Sequence, residues 1–168
     1  MSERNGAHFE VRKFLTIFAI VANLVLVDAV VKELAAGFLK GAAALSVIPG
    51  FFDLAYVENR GCAWGLFQGQ VWPLAVFGLL ALAVLIWQRR KIFNSQFSLL
   101  NFSEPLLYAG IIGNLIDRLC RGYVIDMFDF HWRAAYHFPC FNVADVCITT
   151  AAGLLILSSF IPTTKQGK

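Results

Sequence analysis

Four long apolar stretches constrain this chain more than any other feature of its sequence. They lie at about residues 14–31, 71–87, 98–117 and 143–161. Each is close to the roughly 20 mostly apolar residues that an α-helix needs to cross a bilayer. The first is longer than the apolar core of a signal peptide, about 7–15 residues, and it carries Asp28 where a cleavage site would be small and neutral. We therefore expect an all-α polytopic membrane protein with four transmembrane helices, the first of them retained.

The composition excludes several other classes of protein. Of the 168 residues, 58% are hydrophobic and 15% are charged, compared with about 45–50% and about 25% in soluble domains. These values exclude a disordered chain, a collagen-like repeat and a disulfide-rich secreted module. The net charge of +3 is small and dispersed, so we expect no nucleic-acid partner. The length fits one integral membrane domain over residues 1–168.

Basic residues predict which side of the membrane each segment faces. They are densest in the two terminal segments and after the second span, at Arg4, Arg12, Lys13, Arg89, Arg90, Lys91, Lys165 and Lys168. With four spans these segments share one side, which we assign as cytoplasmic. Residues 32–70 and 118–142 then face outward. Both are rich in aromatic residues, and residues 47–57 have a strand-like pattern, so we expect outer loops that rest on the membrane surface.

Ionisable residues within membrane spans are costly to insert, so each is a candidate for function. The candidates gather at the outward ends of the spans: Asp28, Lys32, Asn114, Asp117, Arg118, Asn142 and Asp145, with Asp126 just after the third span. Glu104 is the exception, because it lies near the inner end of its span. We expect it to be solvated there.

Several of these residues also have a structural explanation. Asp28 and Lys32 have the i, i+4 spacing of a helical ion pair, which is as well supported as a role in contacting substrate. Asn114, Asp117 and Arg118 lie on one helical face, where an internal Asp–Arg pair would anchor the helix end. The spacing alone leaves both interpretations open.

The remaining carboxylates indicate one kind of chemistry. Asn142 and Asp145 have the N-cap and N3 spacing of a capping box, whereas Asp126 lies in an aromatic stretch without a local cation. No GxSxG motif and no glycine-rich phosphate loop occur in the sequence. Two carboxylates can hydrolyse an amide without a metal, since the ionised one accepts a proton from water and the protonated one donates a hydrogen bond to the scissile carbonyl.

Cysteines and histidines indicate neither a metal site nor a cofactor. The cysteines form no CxxC pair; they are Cys62, Cys120, Cys140 and Cys147. We expect small buried or interfacial thiols, with a Cys120–Cys140 disulfide as the alternative on an oxidising side. His131 and His137 fall in a predicted loop without the spacing of metal ligands.

Four ordered motifs resemble the lipoprotein signal peptidases, the bacterial signal peptidase II family. They are NRGCAWG at 59–65, GNLIDR at 113–118, GYVID at 122–126 and FPCFNVAD at 138–145. Asp28 and Lys32 match a fifth motif, and the resemblance covers nearly the whole chain between its terminal segments. The chain departs from the family's usual residues at Cys62, Trp64 and Met127, so the resemblance does not define the shape of the substrate site or the substrate preference.

The resemblance implies an aspartyl endopeptidase of the bacterial inner membrane, with a small periplasmic β-cradle, cytoplasmic termini and an active site at the periplasmic face. Its substrates would be prolipoproteins cut just before a diacylglyceryl-modified cysteine, and the phospholipid bilayer would surround it. Asp126 and Asp145 would form the catalytic dyad. The residues that bind substrate or support the dyad would be Asn59, Gly61, Asn114, Arg118, Asn142, Asp28, Lys32 and Asp117.

Two other classes of protein explain the polar residues less well. A transporter places such charges near the bilayer midplane on broken helices, whereas these gather at one membrane surface. A continuous polar path that reaches Glu104 would favour the transporter. A non-catalytic membrane scaffold leaves the acidic cluster unexplained.

Overall fold

The computed structural model describes residues 2–93, 102–132 and 136–160. Its helices are α1 (Ser2–Leu39), α2 (Val71–Ile92), α3 (Ser103–Arg121) and α4 (Val143–Ser159). Its strands are β1 (Leu45–Ile48), β2 (Phe52–Asn59), β3 (Val124–Trp132) and β4 (Tyr136–His137). The described part of the chain is therefore rich in helix and carries a small sheet.

Within the described part of the chain, two helices are long and apolar enough to cross a membrane. These segments are Glu10–Leu39 within α1 and Val71–Arg89 within α2, and Val143–Ser159 is a shorter apolar helix. Large apolar side chains such as Phe77, 71% exposed, and Trp87, 82% exposed, cover the surface of α2. A surface of this kind is expected where a helix faces lipid. Residue 161, the end of the fourth predicted span, lies outside the described residues.

The third predicted span differs from the observed helix. α3 runs from Ser103 to Arg121, and residues 98–101 lie outside the described part of the chain. Glu104, expected to be solvated, is 1% exposed and forms an ion pair with Arg89 of α2. That expectation is wrong because the partner comes from a neighbouring helix, and sequence spacing does not reveal contacts between helices.

Helix α3 packs against α1, α2 and α4 and so lies at the centre of the helices. Gly113 of α3 allows α1 and α4 to approach α3 closely. A Cβ atom added there would lie 2.7 Å from Asp28 Oδ2 on α1 and 3.2 Å from Ala144 Cβ on α4. The lack of a side chain at Gly113 therefore lets three helices meet at one level.

The strands form one antiparallel sheet in the order β1-β2-β3-β4. The strand-like pattern of residues 47–57 is confirmed by β1 and β2, which are joined through Gly50 with a φ of 76°. Ile125 and Met127 of β3 are buried and pack near Ala35 of α1. This packing docks the sheet on the C-terminal part of α1, beside the end of α3 and the start of α4.

Candidate active site

The start of α4 holds Asp145 in a capping box. Asn142 Oδ1 accepts a hydrogen bond from the backbone N–H of Asp145 at 2.9 Å, and Asp145 Oδ2 accepts one from the backbone N–H of Asn142 at 3.2 Å. The capping interpretation of this spacing is confirmed. It fixes the Asp145 carboxylate at the N-terminus of α4, where the helix dipole stabilises a negative charge.

Asp126 lies on β3 and is 1% exposed. Its Oδ1 accepts a hydrogen bond from Asn142 Nδ2 at 2.6 Å, and its Oδ2 accepts one from Asn59 Nδ2 at 2.9 Å. Burial raises the pKa of Asp126 from 3.8 to about 7, with a further contribution from the charge of Asp145, while the two amide hydrogen bonds oppose the rise. This carboxyl group therefore changes its protonation near neutral pH.

Asn114 of α3 connects the two carboxylates. Its Nδ2 donates to Asp145 Oδ1 at 2.7 Å, and its Oδ1 accepts from Asn142 Nδ2 at 3.1 Å. Because the same Asn142 amide donates to Asp126, a continuous chain of hydrogen bonds runs from one carboxylate to the other. The structure thus brings together the two aspartates and the two asparagines that the sequence singled out.

Lys32 of α1 lies between two buried carboxylates. Its Nζ is 2.7 Å from Asp28 Oδ2, 3.0 Å from Asp117 Oδ2 and 3.2 Å from Asn114 Oδ1. The i, i+4 ion pair of Asp28 and Lys32 is confirmed, and it extends to a second helix. A lysine buried to 1% exposure is expected to be paired in this way, since an unpaired buried charge is costly.

The two carboxylates that flank Lys32 each hold the residue that precedes Asp126 or Asp145 in the sequence. Asp28 Oδ1 accepts from the backbone N–H of Ala144 at 2.8 Å, and Asp117 Oδ2 accepts from the backbone N–H of Ile125 at 3.2 Å. Ala144 precedes Asp145 in sequence, and Ile125 precedes Asp126. One buried lysine therefore anchors both chain segments that carry the candidate catalytic groups.

An ion pair between Asp117 and Arg118, one of the interpretations that the spacing left open, is not what the structure shows. Asp117 pairs instead with Arg121 and with Lys32. The Nε atom of Arg121 lies 2.9 Å from Asp117 Oδ1. Adjacent residues on a helix do not face each other, whereas residues four apart do. Arg118 Nη2 donates to the backbone oxygen of Gly61 at 3.2 Å and so reaches the loop after β2.

Gly61 lies in a tight loop that also positions Asn59. The Gly61 N–H donates to Asn59 Oδ1 at 2.9 Å, which leaves Asn59 Nδ2 directed at Asp126. A Cβ atom at Gly61 would lie 2.5 Å from the backbone oxygen of Leu66. The loop therefore requires glycine at this position.

A cavity of about 470 Å³ opens at the two carboxylates. Its polar lining includes Asn59, Asn114, Arg118, Asp126 and Asp145. Its apolar lining includes Trp64, Phe138, Phe141, Val146 and Ile148. Such a cavity suits an amide group flanked by apolar substituents, with the polar groups at the amide.

Cys140, one of the cysteines that line the cavity, is poorly suited to act as a nucleophile. Cys140 lines the cavity, but burial and the charges of Asp126 and Asp129 raise the pKa of its thiol to about 12. A thiol with this pKa is protonated at neutral pH, and the thiolate is the reactive form. The alternative of a Cys120–Cys140 disulfide is contradicted, since both residues are thiols.

The prediction that His131 and His137 lie in a loop is wrong. His131 belongs to β3 and His137 to β4, and they are direct partners in the register of the sheet. Asp129, His131 and His137 lie close together outside the cavity lining. The pairing was missed because the short β4 has too few residues for an alternating pattern.

Comparisons with known proteins agree on one family. Residues 20–161 match the family model described as signal peptidase (SPase) II. The lipoprotein signal peptidase of Clostridium acetobutylicum is 39% identical over 142 residues, which cover 84% of this chain and 90% of the relative. The lipoprotein signal peptidase of Symbiobacterium thermophilum is 41% identical over 141 residues, again 84% and 90%.

Solved structures show the same similarity. A bacterial membrane enzyme solved by the in meso method at 2.3 Å resolution superposes with a TM-score of 0.76 and 28% identity, covering 91% of this chain and 94% of the other. A second structure of a bacterial membrane enzyme, at 1.9 Å, gives a TM-score of 0.74 and 29% identity over 88% and 94%. The fold described above is therefore shared with experimentally determined membrane enzymes.

Proposed function

The chain belongs to the signal peptidase II family, and on this premise we propose that it cleaves prolipoproteins just before a diacylglyceryl-modified cysteine, with Asp126 and Asp145 as the catalytic dyad. Removal of signal peptides from prolipoproteins is the activity of the family. The dyad, the cleavage position and the lipid requirement are our proposals for this chain.

The observation that supports the dyad is the shared environment of the two carboxylates. Asp126 and Asp145 line one cavity and are joined through Asn142 and Asn114. Each carboxylate receives two hydrogen bonds that fix its position. Preorganised groups of this kind need no rearrangement when charge develops in the transition state.

The two aspartates have different environments, which assigns them different roles. Below about pH 7 Asp126 carries a proton and donates a hydrogen bond to the scissile carbonyl oxygen. Asp145, at the N-terminus of α4, accepts a proton from the attacking water, whose oxygen bonds to the carbonyl carbon. Collapse of the tetrahedral intermediate breaks the C–N bond, and the proton held by Asp145 passes to the leaving nitrogen.

The location of the site supports a substrate that is anchored in lipid. The carboxylates lie where the helices meet the sheet, and aromatic and aliphatic side chains line the rest of the cavity. We place the four spans at about residues 14–31, 71–87, 98–117 and 143–161, in one domain in the inner membrane. Both termini are then cytoplasmic and the dyad faces the periplasm, where a lipid-modified cysteine reaches it from the membrane.

Cleavage of a diacylglyceryl-modified prolipoprotein in liposomes by Asp126→Asn and Asp145→Asn tests this proposal. We expect both variants to lose turnover. Asp126→Asn should keep the wild-type melting temperature or exceed it, whereas Asp145→Asn should stay folded with a lower melting temperature, because it loses one of the hydrogen bonds at the start of α4. Glu58→Gln is the matched control, because Glu58 is an exposed carboxylate on β2 next to Asn59 and pairs with Lys40. Normal turnover by either aspartate variant overturns the dyad, and equal cleavage of the unmodified precursor overturns the lipid requirement.

A further inference from the structure

A group of polar side chains lies on one face of the sheet, outside the cavity lining. Asp129 and His131 are two residues apart on β3 and so point to the same face. In the register, His137 of β4 is the partner of His131, and Asp53 of β2 is the partner of Asp129. Three strands thus bring two imidazoles and two carboxylates to one place.

Three of these groups lie close enough together to hold a metal ion. One ring nitrogen of His131, one of His137 and one carboxylate oxygen of Asp129 all lie within 4.8 Å of one another. His137 Nδ1 is 3.4 Å from Asp129 Oδ1. Ligand atoms at about 2.0–2.1 Å from a tetrahedral zinc ion are about 3.3 Å apart, so this pair already has the separation of two zinc ligands.

His131 is the buried member of the group. Its side chain is 8% exposed, and its Nδ1 is buried without a hydrogen-bond partner among the described residues. Buried polar atoms are rarely left unsatisfied, and a missing ion is one reason for such an exception. The unsatisfied nitrogen is therefore an observation that points to a ligand independently of the clustering.

Asp53 supports the same interpretation from the neighbouring strand. Its Oδ2 lies 3.9 Å from His131 Nε2, and its Oδ1 is buried without a hydrogen-bond partner in the described part of the chain. A histidine that binds a metal through one ring nitrogen commonly has a carboxylate near the other, which fixes the orientation of the ring. Asp53 occupies that position.

We propose that Asp129, His131 and His137 bind a zinc ion and that Asp53 orients His131. Two imidazole nitrogens and one carboxylate oxygen suit zinc, whereas magnesium and calcium prefer oxygen ligands alone. The ion joins β4 to β3 immediately before Phe138, which lines the cavity and whose N–H donates to the backbone oxygen of Phe130. It therefore secures one wall of the cavity and takes no part in the cleavage step.

Isothermal titration calorimetry of Zn²⁺ with the tag-free full-length protein in detergent tests this site. We expect one ion per chain and at least about a tenfold loss of affinity in His137→Ala and in His131→Ala. Asp53→Asn is expected to weaken binding by about 10–100-fold, the usual effect of losing such a carboxylate. His8→Ala removes the third histidine of the chain and is expected to leave the affinity unchanged. Equal affinity in wild type and His137→Ala overturns the proposal.

A second measurement uses Co²⁺ in place of Zn²⁺ to distinguish the proposed site from one in which cysteine thiolates bind the ion. We expect Co²⁺ to give the weak visible absorption of nitrogen and oxygen ligands, and Cys140→Ser to leave the spectrum unchanged. A strong thiolate-to-cobalt band overturns the assignment. His137 is largely exposed, so His137→Ala is expected to fold normally, and a melting temperature equal to that of the zinc-free wild type verifies this. A folded wild type that binds no Zn²⁺ also overturns the proposal.

Discussion

Asn142 Nδ2 donates a hydrogen bond to Asp126 Oδ1 at 2.6 Å, while the Oδ1 of the same residue accepts from the backbone N–H of Asp145. One asparagine therefore links the strand that carries one aspartate to the helix that carries the other. The separation of the two carboxylates depends on this residue, because its cap fixes the start of α4 relative to β3.

Asn142→Ser separates the hydrogen bond to Asp126 from the capping of α4. Serine keeps an oxygen that can cap α4, but it cannot reach Asp126 with an amide nitrogen. Without this hydrogen bond the Asp126 carboxyl is no longer held in place, and a misplacement of about 1 Å can cost about 100-fold in rate, so we expect kcat/KM to fall by about 10–100-fold. The melting temperature should change little, since the cap remains. A large loss of stability with unchanged kcat/KM would show that Asn142 serves only the helix.

The raised pKa of Asp126 predicts the pH dependence of both activity and stability. Activity should fall as the pH rises through about 7, because the proton on Asp126 is lost. The folded pKa of about 7 exceeds the unfolded value near 3.8, so the folded state binds the proton more tightly. The stability from this group is therefore complete below about pH 4 and is lost between pH 4 and 7.

Rate profiles and thermal unfolding between pH 4 and 9 check this prediction. Asp126→Asn cannot ionise, so it should unfold at a higher temperature than the wild type above pH 7. A wild-type rate that stays flat across this range contradicts the assignment of the proton to Asp126.

Asn59→Ala is expected to shift the alkaline limb of the rate profile to higher pH. Asn59 Nδ2 donates to Asp126 Oδ2 at 2.9 Å and lowers the pKa of that carboxyl. Without this hydrogen bond the pKa of Asp126 rises further above its ordinary value. The profile of Glu58→Gln, one residue away on β2, serves as the control. A limb that moves to lower pH would contradict this assignment.

The spacing of residues along the sequence predicted those contacts of the site that form within one secondary-structure element. The capping box of Asn142 and Asp145 and the ion pair of Asp28 and Lys32 each involve residues three or four apart in one helix. Periodicity fixes the relative positions of such pairs. The apolar runs predicted α1, α2 and α4 for the same reason, because hydropathy over about 20 residues is a local property.

Contacts between elements could not be read from spacing. Lys32 reaches Asp117 on another helix, and Arg89 reaches Glu104 across the α2–α3 contact. These distances depend on how the helices pack, and packing is settled by side-chain volumes along the whole interface. The motif resemblance brought Asp126 and Asp145 together, and the structure added the hydrogen bonds that connect them.

Lys32→Met is expected to destabilise the protein strongly. The substitution conserves most of the side-chain volume but leaves Asp28 and Asp117 buried without their shared cation. Removing one partner of a buried ion pair typically costs about 3–5 kcal/mol. Lys40→Met is the matched control, because Lys40 pairs with Glu58 at the surface, and it should change the melting temperature little. Equal effects of the two substitutions in thermal unfolding would contradict a supporting role for Lys32.

Gly113→Ala and Gly78→Ala form a matched pair in neighbouring helices. At Gly113 the added methyl would lie 2.7 Å from Asp28 Oδ2, so α1 must shift away from α3 or the ion pair with Lys32 must rearrange. Overpacking of this kind costs about 1–3 kcal/mol. At Gly78 the nearest atoms lie 3.9 and 4.0 Å away, an ordinary contact distance, and alanine is the better helix former by about 0.8–1.0 kcal/mol.

We therefore expect Gly113→Ala to lower the melting temperature in detergent and to reduce cleavage, since Asp28 also holds the backbone N–H of Ala144 beside Asp145. Gly78→Ala should be neutral or stabilising and keep full activity. If Gly113→Ala lowers stability but leaves kcat/KM unchanged, Asp28 supports the fold of the helices without setting the position of Asp145. If both glycines tolerate alanine equally, the close approach of α1, α3 and α4 is not what holds the site together.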